Sequence, residues 1–144
     1  MKTSFLKQTS LPLQSTPTIL CIDDDPDVSS IIEMRLSRYD VRVVRAFHGM
    51  HGYAEALARK PDVIVMDLRM PNGDGATILE CLRNNQQTAA IPVIVLTGMR
   101  DRRLKHRLMN LGADEFVYKP LLLDDLVGRL RRFIDLDVRE AQSA

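Results

Sequence analysis

Only two cysteines, Cys21 and Cys81, and three histidines, His48, His51 and His106, occur in the 144 residues. The cysteines stand far apart, one in an apolar run and one in a helical pattern. Both read as small buried hydrophobes rather than disulfide partners or nucleophiles. A His-x-x-His pair without further ligands is poor material for a metal site, so His48 and His51 read as solvated surface. Net charge is nearly missing as well: 20 basic against 19 acidic side chains leave +1. That gives no global pull toward nucleic acid or an anionic membrane. No apolar run approaches the length that spans a bilayer. The stretch from Met1 to Pro17 carries Lys2 and Lys7, but its apolar residues are scattered among Ser, Thr, Gln and Pro. It lacks the continuous apolar core of a signal peptide. The expected location is the cytoplasm, with no membrane partner.

What is present is ordinary globular material, 45% hydrophobic and 27% charged, in a length that folds as one domain without staples. Residues 1–16 read as a flexible tail, 17–137 as the domain, and 138–144 as a polar tail or the start of a linker. Short apolar runs predict strands over Thr18–Ile22, Val41–Ala46, Val63–Asp67, Pro92–Leu96 and Phe116–Tyr118. Between them, Val28, Ile31, Ile32 and Leu36 predict a first helix from Pro26 to about Arg38, with Asp25 as its cap. Tyr53, Ala54, Leu57 and Ala58 mark a second helix, which stops before Pro61, and Ile78, Leu79 and Leu82 a third. Leu104, Leu108 and Leu111 define a fourth, with Gly112 as its stop signal. Leu122, Leu126, Leu130, Phe133 and Ile134 give the last. Strands alternating with helices call for an α/β fold, a parallel sheet with helices on both faces.

Four of the five strands finish in polar groups: Asp23-Asp24, Asp67, Thr97 and Lys119. All carboxyl ends of a parallel sheet lie on one edge, where such folds place their ligands. A single Asp after a strand reads equally well as a turn cap; four polar endings together do not. Carboxylates gathered there repel one another, and a divalent cation relieves the repulsion. An all-oxygen donor set suits Mg²⁺, and the absence of His and Cys argues against zinc. A metal site with a free carboxylate and a lysine suits phosphoryl transfer. Asp67 would be the nucleophile, Lys119 would offset charge, and the Thr97 hydroxyl would donate a hydrogen bond.

The stretches Ile22-Asp23-Asp24-Asp25-Pro26, Met66-Asp67-Leu68-Arg69-Met70-Pro71, Leu96-Thr97-Gly98 and Tyr118-Lys119-Pro120 resemble the receiver domain of two-component response regulators. The similarity runs from about Thr18 to Ile134, and Asn72-Gly73-Asp74-Gly75 and Leu111-Gly112-Ala113-Asp114 also look like the family's loops. The resemblance implies a flavodoxin-like, doubly wound sheet of five strands in the order 2-1-3-4-5 with five helices. It implies that Asp67 accepts phosphate from a sensor histidine kinase or a histidine phosphotransfer protein. Asp24 is then a direct Mg²⁺ ligand, Asp23 a second acidic partner, and the carbonyl of Arg69 a further ligand. Thr97 becomes the switch hydroxyl, Phe116 the switch aromatic, Lys119 the phosphate-binding cation, and Lys119-Pro120 a cis peptide bond. The Arg69 side chain either reaches a phosphate or carboxylate or points outward.

Two other classes compete with this reading. An aspartate-nucleophile phosphatase of the haloacid dehalogenase type wants a second Asp two residues after the nucleophile, where this chain has Arg69, and 144 residues leave no room for a cap domain. A pseudo-receiver that binds without phosphorylation would not need the intact Asp23, Asp24, Asp67, Thr97 and Lys119 set. The basic run Arg100, Arg102, Arg103, Lys105, His106 and Arg107 reads first as a solvated face, and the near-neutral total argues against direct nucleic-acid binding. In the family the fourth helix, fifth strand and fifth helix form a partner or dimer surface. Asp114, Glu115, Asp124 and Asp125 would then supply acidic counterparts for a symmetric homodimer. No output domain fits after Ile134, which suits either a single-domain regulator or a receiver cut from a longer protein.

Overall fold

The computed structural model describes residues 15–69 and 75–140. Residues 1–14, 70–74 and 141–144 lie outside the described residues, among them Pro71 and the expected turn residues Asn72, Gly73 and Asp74. Strand β1 (Thr18–Ile22) is followed by α1 (Pro26–Leu36), β2 (Arg42–Ala46), α2 (Gly49–Arg59) and β3 (Val63–Asp67). Then come α3 (Gly75–Asn84), β4 (Val93–Thr97), α4 (Arg102–Asn110), β5 (Glu115–Tyr118) and α5 (Leu123–Leu130). The five strands form one parallel sheet in the order β2-β1-β3-β4-β5. This is the order expected from the resemblance.

Every residue of β1, β3 and β4 is buried, as continuous β-branched and aliphatic runs require when helices cover both faces. Alternate residues serve the two layers. Leu20, Ile22, Ile64, Met66, Val93 and Val95 pack with Ala56 of α2, Leu79 and Leu82 of α3 and Leu108 of α4. Ile19, Cys21, Val63, Val65, Ile94 and Leu96 pack with Ile32 and Leu36 of α1 and Leu126 and Leu130 of α5.

The helix ends follow local chemistry. Asp25 caps α1, its side chain accepting from the Asp27 amide, and Pro26 sits at the first helical position. α1 ends at Leu36 rather than near Arg38, where the Ser37 amide and hydroxyl both donate to the Met34 carbonyl. Ile31, placed in its apolar stripe by spacing, is half exposed. His48 and His51 are half-buried and have a local task rather than a purely solvated one. His48 Nδ1 accepts the His51 amide at 3.2 Å and so caps α2, and His51 Nδ1 accepts the Phe47 amide at 3.3 Å. Cys21 is buried as expected, and burial pushes its thiol up to about 12; Cys81 is only half-buried.

Two features beyond the strands and helices fix the frame. The Arg83 guanidinium, at the end of α3, donates to the carbonyls of Gly112, Ala89 and Ile91 and to Asp114 Oδ2. It thereby ties α3 to the turn before β5. Gly112 holds a φ of 108° there, and a Cβ on it would stand 2.7 Å from Arg83 Nε. After α5 the chain turns at residues 131–133 and returns across the amino ends of the strands, burying Ile134 and Leu136. Val138 pairs antiparallel with Tyr39, the Asp40 amide donates to the Asp137 carbonyl, and the Arg139 amide donates to the Arg38 carbonyl.

Candidate functional site

The strand register brings the polar endings level with one another. Ile22 of β1 pairs with Met66 of β3, so Asp23 continues β1 beside Asp67. Asp67 pairs with Leu96, so Thr97 ends β4 one step further on, opposite Tyr118 of β5. Lys119 follows Tyr118, its amide donating to the Thr97 carbonyl at 2.8 Å, and its bond to Pro120 is cis, as expected. Sequence-distant side chains thus share one edge because the sheet is parallel.

Within that edge, carboxylate oxygens of Asp23, Asp24 and Asp67 lie within 4.8 Å of one another. Asp23 and Asp67 are buried and Asp24 is exposed. Lys119 Nζ stands 3.5 Å from Asp23 Oδ2 and 3.5 Å from Asp67 Oδ2. A single ammonium therefore pairs with two of the three clustered acids, and the charge is not balanced. Burial raises the Asp23 carboxyl above the ordinary range. The Asp25 amide, donating to Asp23 Oδ1 at 2.9 Å, opposes this, Asp67 raises it further, Lys119 lowers it, and Asp24 adds a smaller rise. The donor set is oxygen alone, partly buried and short of positive charge, and it fits a hard divalent cation.

The remaining expected residues take distinct places. Thr97 is buried, its hydroxyl accepting the Met99 amide at 3.1 Å. Arg69 is exposed on the rim, its amide 3.4 Å from Asp67 Oδ1. Phe116 is buried and meets Tyr118 edge-on, with ring centroids 5.4 Å apart. Asp25 stands apart from the acidic cluster as the helix cap. A cavity of about 560 Å³ opens over Asp67, Thr97 and Lys119.

Sequence reasoning did not single out Gly75 as a positioning residue. A Cβ there would stand 2.9 Å from the Leu68 Cα and 3.0 Å from the Asp67 carbonyl oxygen, while the Gly75 amide donates to the Leu68 carbonyl. The start of α3 is thus seated directly on the backbone that carries Asp67. The signal was a glycine eight residues after the acid, inside a stretch already noted as loop-like.

The acids once considered as dimer counterparts have partners within the chain. Asp114 pairs with Arg83, Glu115 with Arg129 and Arg132, Asp124 with Arg35, and Asp125 with Arg129. Arg102, Arg103, Lys105, His106 and Arg107 of α4 are exposed and in no ion pair among the described residues. No helix among the described residues is long and apolar enough to cross a membrane.

Known proteins resemble this chain in sequence and fold. The chain is 35% identical over 128 residues to the DNA-binding dual master transcriptional regulator RpaA of Synechocystis, covering 89% of this chain and 53% of that protein. It is 35% identical over 118 residues to hybrid signal transduction histidine kinase D of Dictyostelium discoideum, covering 82% of this chain and 8% of the kinase. The chain thus spans about half the length of the first relative and a small part of the second. Among solved structures, the receiver domain of Francisella response regulator 1452 superposes with a TM-score of 0.74 at 29% identity, covering 81% of this chain and 95% of that one. The family model for the response regulator receiver domain matches residues 19–131, from β1 through the end of α5 with the acidic edge inside it. A five-stranded sheet of this order, with its acids and lysine at one edge, is therefore a member of the response regulator receiver domain family of two-component systems.

Proposed function

We propose that this chain is a phosphoacceptor in a phosphorelay, taking a phosphoryl group onto Asp67 and changing its surface in response. The observation that carries the reading is the placement of Lys119 Nζ, 3.5 Å from both Asp67 and Asp23 at the floor of an open cavity. In the reaction, an Asp67 carboxylate oxygen attacks phosphorus in line with a phosphohistidine nitrogen. The P–N bond breaks, and the imidazole leaves with the electron pair. Lys119 faces the phosphoryl oxygens as their cation, and the Thr97 hydroxyl, on the neighbouring strand, donates to them. Asp23, Asp24 and Asp67, with the carbonyl of Arg69, would hold Mg²⁺. The ion supplies charge neutralisation between carboxylates and phosphoryl group.

The partner is a sensor histidine kinase or a histidine phosphotransfer protein. Family membership supports this, as does similarity to a segment of a hybrid histidine kinase. The phospho-aspartate adds about two negative charges, which Thr97 and Lys119 answer by moving, with Phe116, already buried, as the aromatic that responds to Thr97. The protein promotes its own phosphorylation and dephosphorylation and turns over no other substrate. Intact mass after incubation with a small phosphoryl donor tests the reading. One Mg²⁺-dependent phosphoryl group per chain, absent from Asp67→Ala, is the expected result. No adduct with any donor, together with no binding of a fluoride-based phosphate mimic, would instead support a phosphorylation-independent binding module.

A further inference from the structure

Ten ion-pair contacts tie arginines and a lysine to carboxylates among the described residues, yet Arg100 takes part in none of them. Its guanidinium lies over the Tyr118 ring, 4.6 Å from the centroid. Tyr118 is fixed in turn by its strand pairing with Thr97 and by Phe116 against its edge. A cation held over a ring face can still donate its N–H groups elsewhere, and no ion pair among the described residues uses those of Arg100. The neighbouring acid does not take them: Asp101 Oδ1 accepts the amides of Arg103 and Leu104 as the cap of α4. Arg100 is therefore a fixed cation with uncommitted donors.

Its position gives those donors a task. Arg100 lines the cavity over Asp67, on the β4–α4 side, and Arg69 lines it as well. Between Thr97 and Arg100, a Cβ on Gly98 would meet nothing within 4 Å, so the entry there is open. The floor is Asp67 beside Lys119, with Asp23 and Asp24 clustered with Asp67 outside the lining, and Asp101 adds a further carboxylate to the rim. A phosphoryl donor is itself an anion, and each added negative charge raises the cost of approaching that floor. A cation on the rim offsets this cost in proportion to the donor's charge.

We propose that Arg100, stacked on Tyr118 at the rim of the Asp67 cavity, selects the phosphoryl donor, favouring dianionic acyl phosphates over donors of smaller net charge. The inference rests on the phosphoacceptor reading of Asp67. In the favoured reaction the Asp67 oxygen attacks phosphorus, the P–O bond to the acyl group breaks, and the carboxylate leaves with the electron pair. Arg100 donates to the oxygens of the acyl phosphate during approach. It is a specificity-determining residue and forms no covalent bond.

The experiment follows phosphorylation of the full chain by intact mass, in Mg²⁺, with acetyl phosphate and separately with phosphoramidate, a zwitterion of smaller net charge. Arg100→Ala should slow the acetyl phosphate reaction about tenfold, the size of one charge-assisted hydrogen bond, and the phosphoramidate reaction less than about twofold. Arg100→Lys should retain part of the preference, and raised salt should compress it in the parent chain. Tyr118→Leu, which keeps the charge but removes its platform, should weaken the preference while leaving one phosphoryl group per chain at completion. Equal slowing with both donors would overturn the proposal in favour of a structural role, and unchanged rates would overturn it outright. A parent chain that accepts phosphate from neither donor and binds no fluoride-based phosphate mimic is a different result. It removes the phosphoacceptor reading and this proposal with it.

Discussion

Asp23 carries the electrostatic tension of the site. It is buried beside Asp67 and Asp24, and burial is the largest cause of its raised carboxyl pKa. A group whose folded pKa lies above its unfolded value contributes stability that is complete below the unfolded pKa and is lost as pH rises through the folded one. Without divalent cations, then, ionised Asp23 costs stability at neutral pH. Asp23→Asn should be more stable than the parent at pH 7 by about 1 kcal/mol, and the gain should vanish below the ordinary Asp range. Mg²⁺ should stabilise the parent at neutral pH and the variant much less. Urea denaturation at the two pH values, with and without Mg²⁺, reads all of this. A variant less stable than the metal-free parent at pH 7 would show that Asp23 gains more from Lys119 and the Asp25 amide than it loses to its acidic neighbours.

At the level of elements, the site depends on how α3 sits on β3. Gly75 allows the close approach, because a Cβ there would press against the Leu68 Cα and the Asp67 carbonyl. Gly75→Ala should cost about 1–3 kcal/mol as overpacking against backbone that cannot swing away. It should also slow phosphoryl uptake by shifting Asp67. Thermal unfolding and the uptake rate, measured together, test the pairing; a stable variant with normal uptake would contradict it. The strands and helices were readable because their periods are strong. Val63–Met66 is apolar without a break, and it is a strand buried on both faces. Asp23, Asp67, Thr97 and Lys119 were readable as a group because parallel pairing leaves no other edge for strand ends. The task of Gly75, the bonds of Arg83 to three carbonyls and the capping by His48 were not readable. Each depends on which backbone group lies within about 3 Å, and spacing along the chain carries no such information.

Across the whole molecule, the chain is fastened at the end opposite the site. Beyond α5, where the family match ends at residue 131, Ile134 and Leu136 enter the core layer formed by α1 and α5. Residues 138 and 139, which a polar composition had marked as tail, bond to the turn after α1. Leu136→Ala should destabilise the domain by about 2–4 kcal/mol through loss of burial and the cavity left behind. Chemical denaturation checks this, and a change under about 0.5 kcal/mol, ordinary for a surface position, would contradict the packing described. The phosphoacceptor edge lies at the other end of the strands, so completed uptake should still reach one group per chain in this variant.

Locating the phosphoryl group tests the central claim most directly. The chain would be phosphorylated in Mg²⁺, reduced with borohydride to convert any aspartyl phosphate to homoserine, and mapped by peptide mass. Conversion at position 67, with Asp23 and Asp24 intact, is the predicted result. Conversion at Asp23 or Asp24, or phosphate on a histidine or a hydroxyl, would contradict the assignment of Asp67 as acceptor.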